Sequence, residues 1–135
     1  MGKIYSALGL MSGTSMDGVD ISIIKTDGKS KYRVILDEYF VYPEKIYINL
    51  TSLREKIKNS KDLKKHKKQI KFIEKEITFF HAKAVKQVIK KSRENIDFIG
   101  FHGQTIEHDP TNSFTKQLGD AKLLSSLTKK KVIYD

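Results

Sequence analysis

Cysteine is absent from the chain, which removes disulfides and thiolate metal sites and makes a reducing compartment the easy fit. No apolar run approaches the roughly 20 residues of a membrane-spanning helix, and no charged-then-apolar leader opens the sequence. Both absences lead to the expectation of a cytoplasmic protein without a membrane partner. Acidic residues are few beside basic ones, 16 against 26, and the net charge of +10 invites a nucleic-acid reading. Its distribution argues otherwise. Between Thr51 and Arg93 stand 15 Lys and Arg against 4 Asp and Glu, an excess of +11 that leaves the remainder at −1. Those lysines alternate with a regular apolar stripe, as on the solvated face of a helix. No nucleic-acid motif lies beside them, so a basic-helix nucleic-acid binder is the weakest expectation.

What is present describes one soluble domain. A chain of 135 residues, 39% hydrophobic and 31% charged, is long enough for a single core. Apolar runs from Ile4 to Leu10 and from Val19 to Lys25 read as two strands. Asp27-Gly28 is a turn signal with a loop reaching Ser30, and a third strand follows from Tyr32 to Val41. Period-2 alternation puts Tyr32, Val34, Leu36 and Phe40 on one face of it, and Arg33, Asp37 and Tyr39 on the other. Pro43 suits a helix start, with Ile46, Leu50, Leu53 and Ile57 at helical spacing after it. Asn59-Ser60-Lys61-Asp62 breaks that pattern and offers the cap of a long helix striped by Ile70, Ile73, Ile77, Phe80, Ala84, Val88 and Ile89. His81 borders the stripe and is expected to be structural, with His66 facing solvent among lysines. Ile96 to Phe101 and Lys131 to Asp135 read as further strands, and Asp120 caps a short helix from Ala121 to Leu127.

Two stretches carry chemistry. The first, Gly9-Leu10-Met11-Ser12-Gly13-Thr14-Ser15-Met16-Asp17-Gly18-Val19-Asp20, joins the first two strands. Gly13 and Gly18 allow backbone angles that let the main chain approach a ligand. Exposed N–H groups there can form an anion nest, with hydroxyls of Ser12, Thr14 and Ser15 beside it. Asp17 and Asp20 bring carboxylates suited to a hydrated Mg²⁺ next to phosphates. An ordinary glycine-rich hairpin satisfies the same spacing. It is not a Walker A loop, since no Gly-Lys-Ser/Thr follows, nor a dinucleotide fingerprint, since a strand rather than a helix comes next. The second stretch, His102-Gly103-Gln104-Thr105, ends a strand, and its donors and acceptors suit sugar hydroxyls or an amide. A plain polar turn into Asp109-Pro110 is the alternative.

A phosphate hairpin between two antiparallel N-terminal strands resembles the actin-like sugar kinase and heat-shock ATPase superfamily. Within it, Met11 to Asp20, His102 to Thr105 and Gln117-Leu118-Gly119-Asp120, in that order, resemble the anhydro-N-acetylmuramic acid kinases. Glu107 stands where that family often has a basic residue, which removes an arginine contact to the sugar's lactyl carboxylate from the expectation. The resemblance implies an α/β fold: a mixed sheet opened by a three-stranded antiparallel meander, helices packed on it, forming a partial actin-like (ribonuclease-H-like) ATPase lobe over residues 1–135. It implies ATP and Mg²⁺, with Gly13, Thr14, Ser15, Met16, Asp17, Gly18, Val19 and Asp20 at the nucleotide. Asp17 and Asp20 would hold the metal through water, and His102, Gly103, Gln104 and Thr105 would meet the sugar. The implied reaction opens 1,6-anhydro-N-acetylmuramic acid and phosphorylates it to N-acetylmuramic acid 6-phosphate, in cell-wall sugar recycling. The family's catalytic carboxylate and second lobe would lie beyond Asp135. The expectation is therefore a truncated or split kinase, inactive alone, served by a second chain or by a homodimer of the whole enzyme. A non-catalytic phosphate-binding module is the competing expectation.

Overall fold

The computed structural model describes residues 2–109 and 114–134. Three antiparallel strands open the chain, β1 (Tyr5–Met11), β2 (Gly18–Thr26) and β3 (Tyr32–Val41). Three helices follow, α1 (Glu44–Lys56), α2 (Ser60–Lys65) and α3 (Lys67–Ser92). Then come β4 (Phe98–Phe101), a hairpin of β5 (Gln104–Asp109) and β6 (Phe114–Leu118), α4 (Ala121–Thr128) and β7 (Lys131–Tyr134). The main sheet has the order β3-β2-β1-β4-β7, with β4 parallel to both β1 and β7. This is a mixed α/β sheet in which each parallel strand is reached through a helical crossover, as parallel pairing requires. Asp97 sets the β1–β4 register from both sides: its carboxylate accepts from the Ser6 N–H at 2.8 Å, and its own N–H donates to the Ser6 carbonyl.

The alternation of β1 and β2 sorts the sheet into a covered and an open face. Leu8, Leu10, Val19, Ile21, Ile23 and Ile99 share one core with Leu50 and Leu53 of α1 and with Ile73, Ile77, Val85 and Val88 of α3. Burying such side chains stabilises by about 1.5–3 kcal/mol each. The opposite face stays open along Gly9, Met11, Asp20 and Ile133.

Three sequence expectations change. The apolar face assigned to β3 is split by a bulge: Ile23 pairs with Leu36 and Ile24 with Val34, which leaves Ile35 over. One extra residue turns the pleat over. Leu36 and Phe40 pack on the core, while Tyr32 and Val34 are 71% and 54% exposed. The Asn59 cap is real but starts α2, not the long helix. Asn59 Oδ1 accepts from the N–H groups of Lys61 and Asp62, and the Asp62 carboxylate accepts from Lys58 and Asn59. Those backbone donors hold the Asp62 carboxyl below its usual range. The β5–β6 hairpin is absent from the sequence reading, because its residues lack alternation; among its described side chains Ile106, Leu118 and Gln104 are essentially inaccessible and anchor it. Asp135 and the Asp109–Pro110 turn beyond its first residue lie outside the described residues. No described helix is long and apolar enough to cross a membrane.

Candidate functional site

The loop between β1 and β2 is shaped by its one left-handed residue, and that residue is not a glycine. Met16 has φ 62° and is buried to 1%, so core packing of its side chain holds a backbone conformation that the residue otherwise avoids. The Met16 N–H closes a turn onto the Gly13 carbonyl at 3.3 Å. The conformational freedom that Gly13 and Gly18 allow is not used for a left-handed turn at either residue. Gly18 is required instead by close approach: a Cβ there would lie 2.2 Å from the Phe40 carbonyl oxygen. A Cβ on Gly13 would meet only the Ser15 hydroxyl, at 3.9 Å, so the space above Gly13 is open. Thr14, Ser15 and Asp17 are exposed around it, while Val19 is buried beneath.

Ser12 was expected among the outward hydroxyls and is buried instead. Its Oγ lies 3.3 Å from the Tyr42 hydroxyl and 3.3 Å from His81 Nε2. The His81 proton belongs on Nδ1, because that nitrogen faces the Ile77 carbonyl at 2.8 Å and a carbonyl only accepts. Nε2 thus accepts from Ser12. Burial pushes His81 down to about 4, against a smaller upward pull from the Ile77 carbonyl. Burial pushes the Tyr42 hydroxyl up to about 12, so it remains a donor, and it donates to Gln104 Oε1 at 3.0 Å. Gln104 is fully buried, and its Nε2 donates to the carbonyls of Gly13 at 2.7 Å and Thr105 at 2.9 Å. Its amide, expected to face a sugar, is spent inside the fold. Tyr42 also donates its own N–H to the Asp17 carbonyl at 2.8 Å. The sequence carried one sign of this network, a histidine at the edge of an apolar helical stripe; Tyr42 had none.

His102 is exposed, its Nδ1 3.4 Å from Gln117 Nε2, which also approaches the Thr105 hydroxyl at 3.5 Å. Gly103 is required twice over: φ is +79°, and a Cβ would lie 2.2 Å from the Leu118 carbonyl oxygen. Two clefts meet at His102. One, of about 530 Å³ on the open sheet face, is lined by Gly9, Met11, Asp20 and Gly100 among others. The other, about 740 Å³, runs past Gly103 between α3 and α4, with Lys71, Lys75, Lys116 and Lys122 on its walls. Asp20 and His102 thus line a common cleft, whereas Thr14 and Ser15 line neither.

The acidic groups fit a hydrated divalent cation. A hydrogen bond that the protonated Asp20 donates to Asp37, partial desolvation and the Asp37 charge raise the Asp20 carboxyl above its usual range. Desolvation, then the charges of Asp17 and Asp20, raise the Tyr39 hydroxyl. Carboxylates that disfavour one another's ionisation are a place where a cation is welcome. Among the described residues no three His, Asp or Glu side chains converge on one point, so such a cation would be bound by one or two carboxylates and its own waters, as suits Mg²⁺. Replacing Asp37 by Asn is expected to let Asp20 ionise at lower pH, read from the ¹³C carboxyl titration of Asp20; an unmoved midpoint would show the pair to be uncoupled.

The sequence model of the family described as anhydro-N-acetylmuramic acid kinase matches residues 5–135. An anhydro-N-acetylmuramic acid kinase of Pelagibacter ubique is 54% identical over 135 residues, which cover 100% of this chain and 36% of the relative. Those of Agrobacterium fabrum and Rhizobium etli are 39% and 34% identical, again over the whole of this chain and 37% of each relative. The chain therefore spans little more than a third of the length of these curated relatives.

Proposed function

The chain belongs to the anhydro-N-acetylmuramic acid kinase family, and from that premise we propose that it forms the nucleotide-phosphate side of a kinase acting on an anhydro-muramic sugar, as part of an actin-like lobe. The observation that carries this reading is the β1–β2 loop: open space above Gly13, exposed Thr14 and Ser15, and the Asp20 carboxyl set where a cation is favoured. Bound ATP with Mg²⁺ would supply the phosphoryl group and the charge that neutralises it. Gly13 to Asp20 would cradle the phosphates through backbone N–H groups and hydroxyls. Asp17 and Asp20 would hold the metal's waters. His102, Gly103 and Thr105 would border the sugar, with Gln104 supporting them from beneath. The general base on water and the rest of the nucleotide site would come from the part of the family enzyme that this chain does not span. As such, the 135 residues alone bind phosphate and do not turn over sugar, and assembly with the remaining lobe, and as a dimer, belongs to the same proposal.

The test uses this chain mixed with the C-terminal two thirds of the Pelagibacter relative. Gly13→Val fills the open space where a phosphate must come close, and Asp20→Ala removes the carboxylate beside the metal. Each is expected to lower Mg·ATP affinity at least tenfold, about 1.4 kcal/mol, while a set of alanines at Lys64, Lys67 and Lys68, which line neither cleft, leaves it unchanged. Unaltered affinity in both loop variants would refute the assignment. Salt-dependent duplex binding lost in the lysine set would favour the nucleic-acid reading instead.

A further inference from the structure

We infer that Gln104 is a positioning residue for the phosphate loop: by holding the Gly13 carbonyl inward, it aims the Thr14 N–H outward as an anion donor. This rests on the phosphate-loop reading above and deepens it. The Gly13 carbonyl accepts from Gln104 Nε2 at 2.7 Å and from the Met16 N–H at 3.3 Å. No peptide bond in the described residues is cis, and in a trans peptide the N–H points opposite to the carbonyl of the same unit. Gln104 is fully buried, so a carbonyl turned towards its amide faces the interior. The Thr14 N–H of that peptide faces away from it, on an exposed residue. Among the described residues neither Thr14 nor Ser15 gives its N–H to a protein acceptor.

The amide itself is held so that it cannot rotate. Its Oε1 accepts from Tyr42, its Nε2 donates to two carbonyls, and exchanging the two ends would set oxygen against oxygen at Gly13 and at Thr105. Tyr42 is fixed in turn, with its backbone on Asp17 and its ring edge-on to Phe80 at 5.1 Å between centroids. The loop is thus gripped at Ser12, Gly13 and Asp17 by side chains and backbone from α3, β5 and the β3–α1 junction. A lone glycine peptide would otherwise sample both orientations. Fixing it before the ligand arrives avoids the ordering cost at binding.

The experiment follows the Thr14 amide by ¹H–¹⁵N NMR in the full 135-residue chain during titration with tripolyphosphate and Mg²⁺. Wild type is expected to show a saturable downfield shift of Thr14. Gln104→Glu, which sets a carboxylate against the Gly13 carbonyl, is expected to lose that shift and to weaken binding roughly tenfold. Lowering the pH protonates the introduced carboxyl, which then donates to Gly13 as the amide did, so binding by this variant is expected to recover towards wild type measured at the same pH. Tyr42→Phe, which frees only the Oε1 end, gives a smaller loss and serves should the Glu variant fold poorly. Equal Thr14 shifts and affinities in wild type, Gln104→Glu and Tyr42→Phe would overturn the positioning role while leaving the phosphate loop standing. No Thr14 shift in the wild type would overturn the phosphate-loop reading, and this inference with it.

Discussion

Gly18→Ala is expected to destabilise the chain by about 3 kcal/mol or more, whereas Gly13→Ala, five residues earlier in the loop that leads into β2, changes stability by less than about 0.5 kcal/mol. The difference lies in what each new methyl would meet. At Gly18 it would sit 2.2 Å from the Phe40 carbonyl oxygen and 2.9 Å from the Tyr39 hydroxyl. The first neighbour is backbone in a paired strand, so relief requires β2 and β3 to separate where Gly18 faces Val41 and Val19 faces Phe40. At Gly13 the nearest atom is a mobile hydroxyl at 3.9 Å. For a chain of this length, 3 kcal/mol corresponds to a fall in Tm of roughly 10 °C. Thermal unfolding followed by circular dichroism measures both variants. A Gly18→Ala protein melting within about 2 °C of wild type would show that the strand pair yields freely, and that the close approach is not what glycine supplies there.

Acid is expected to weaken the fold through His81, and the sign follows from its burial. The imidazole is 1% exposed and is pushed down to about 4 in the folded chain, by burial first, opposed by the Ile77 carbonyl and assisted by the nearby His102. An unfolded histidine titrates near 6.5. Between those values the unfolded chain binds a proton that the folded chain refuses, so stability is complete above pH 6.5 and falls as pH drops. The loss is about 2 kcal/mol at pH 5 and about 3 kcal/mol once the pH is below 4. Carboxylates held by backbone donors, Asp27 and Asp62, lose their own contribution only at lower pH. Urea unfolding at a series of pH values isolates the histidine by comparison with His81→Gln, which keeps a polar group beside Ser12 but does not titrate. Wild type and variant falling in parallel from pH 7 to 5 would show that His81 is reached by water before the chain unfolds.

Much of the architecture was legible because it follows from local spacing. Tyr32–Val41 matched its strand to the residue, and the stripes of α1 and α3 placed Leu50, Leu53, Ile73 and Ile77 in the core. Asp120 capped its helix, accepting from the Leu123 N–H. The three motifs that marked the family, Met11 to Asp20, His102 to Thr105 and Gln117 to Asp120, could be read as strings of residues with no knowledge of their contacts. Period, cap and motif are each properties of neighbours along the chain, and the sequence by itself determined them.

Tertiary structure decided what those neighbours touch. The bulge at Ile35 moved Tyr32 and Val34 to the other face, because pairing with β2 rather than alternation within β3 sets the register. The left-handed turn fell to Met16, since a buried side chain can hold a backbone conformation that glycine merely permits. Ser12 turned inward to Tyr42 and His81, 30 and 69 positions away in the chain, and Gln104 was drawn into the core by Tyr42 and the Gly13 carbonyl, 62 and 91 positions from it. A buried polar group must be paired, but its partner is chosen by folding, over distances at which sequence spacing carries no signal.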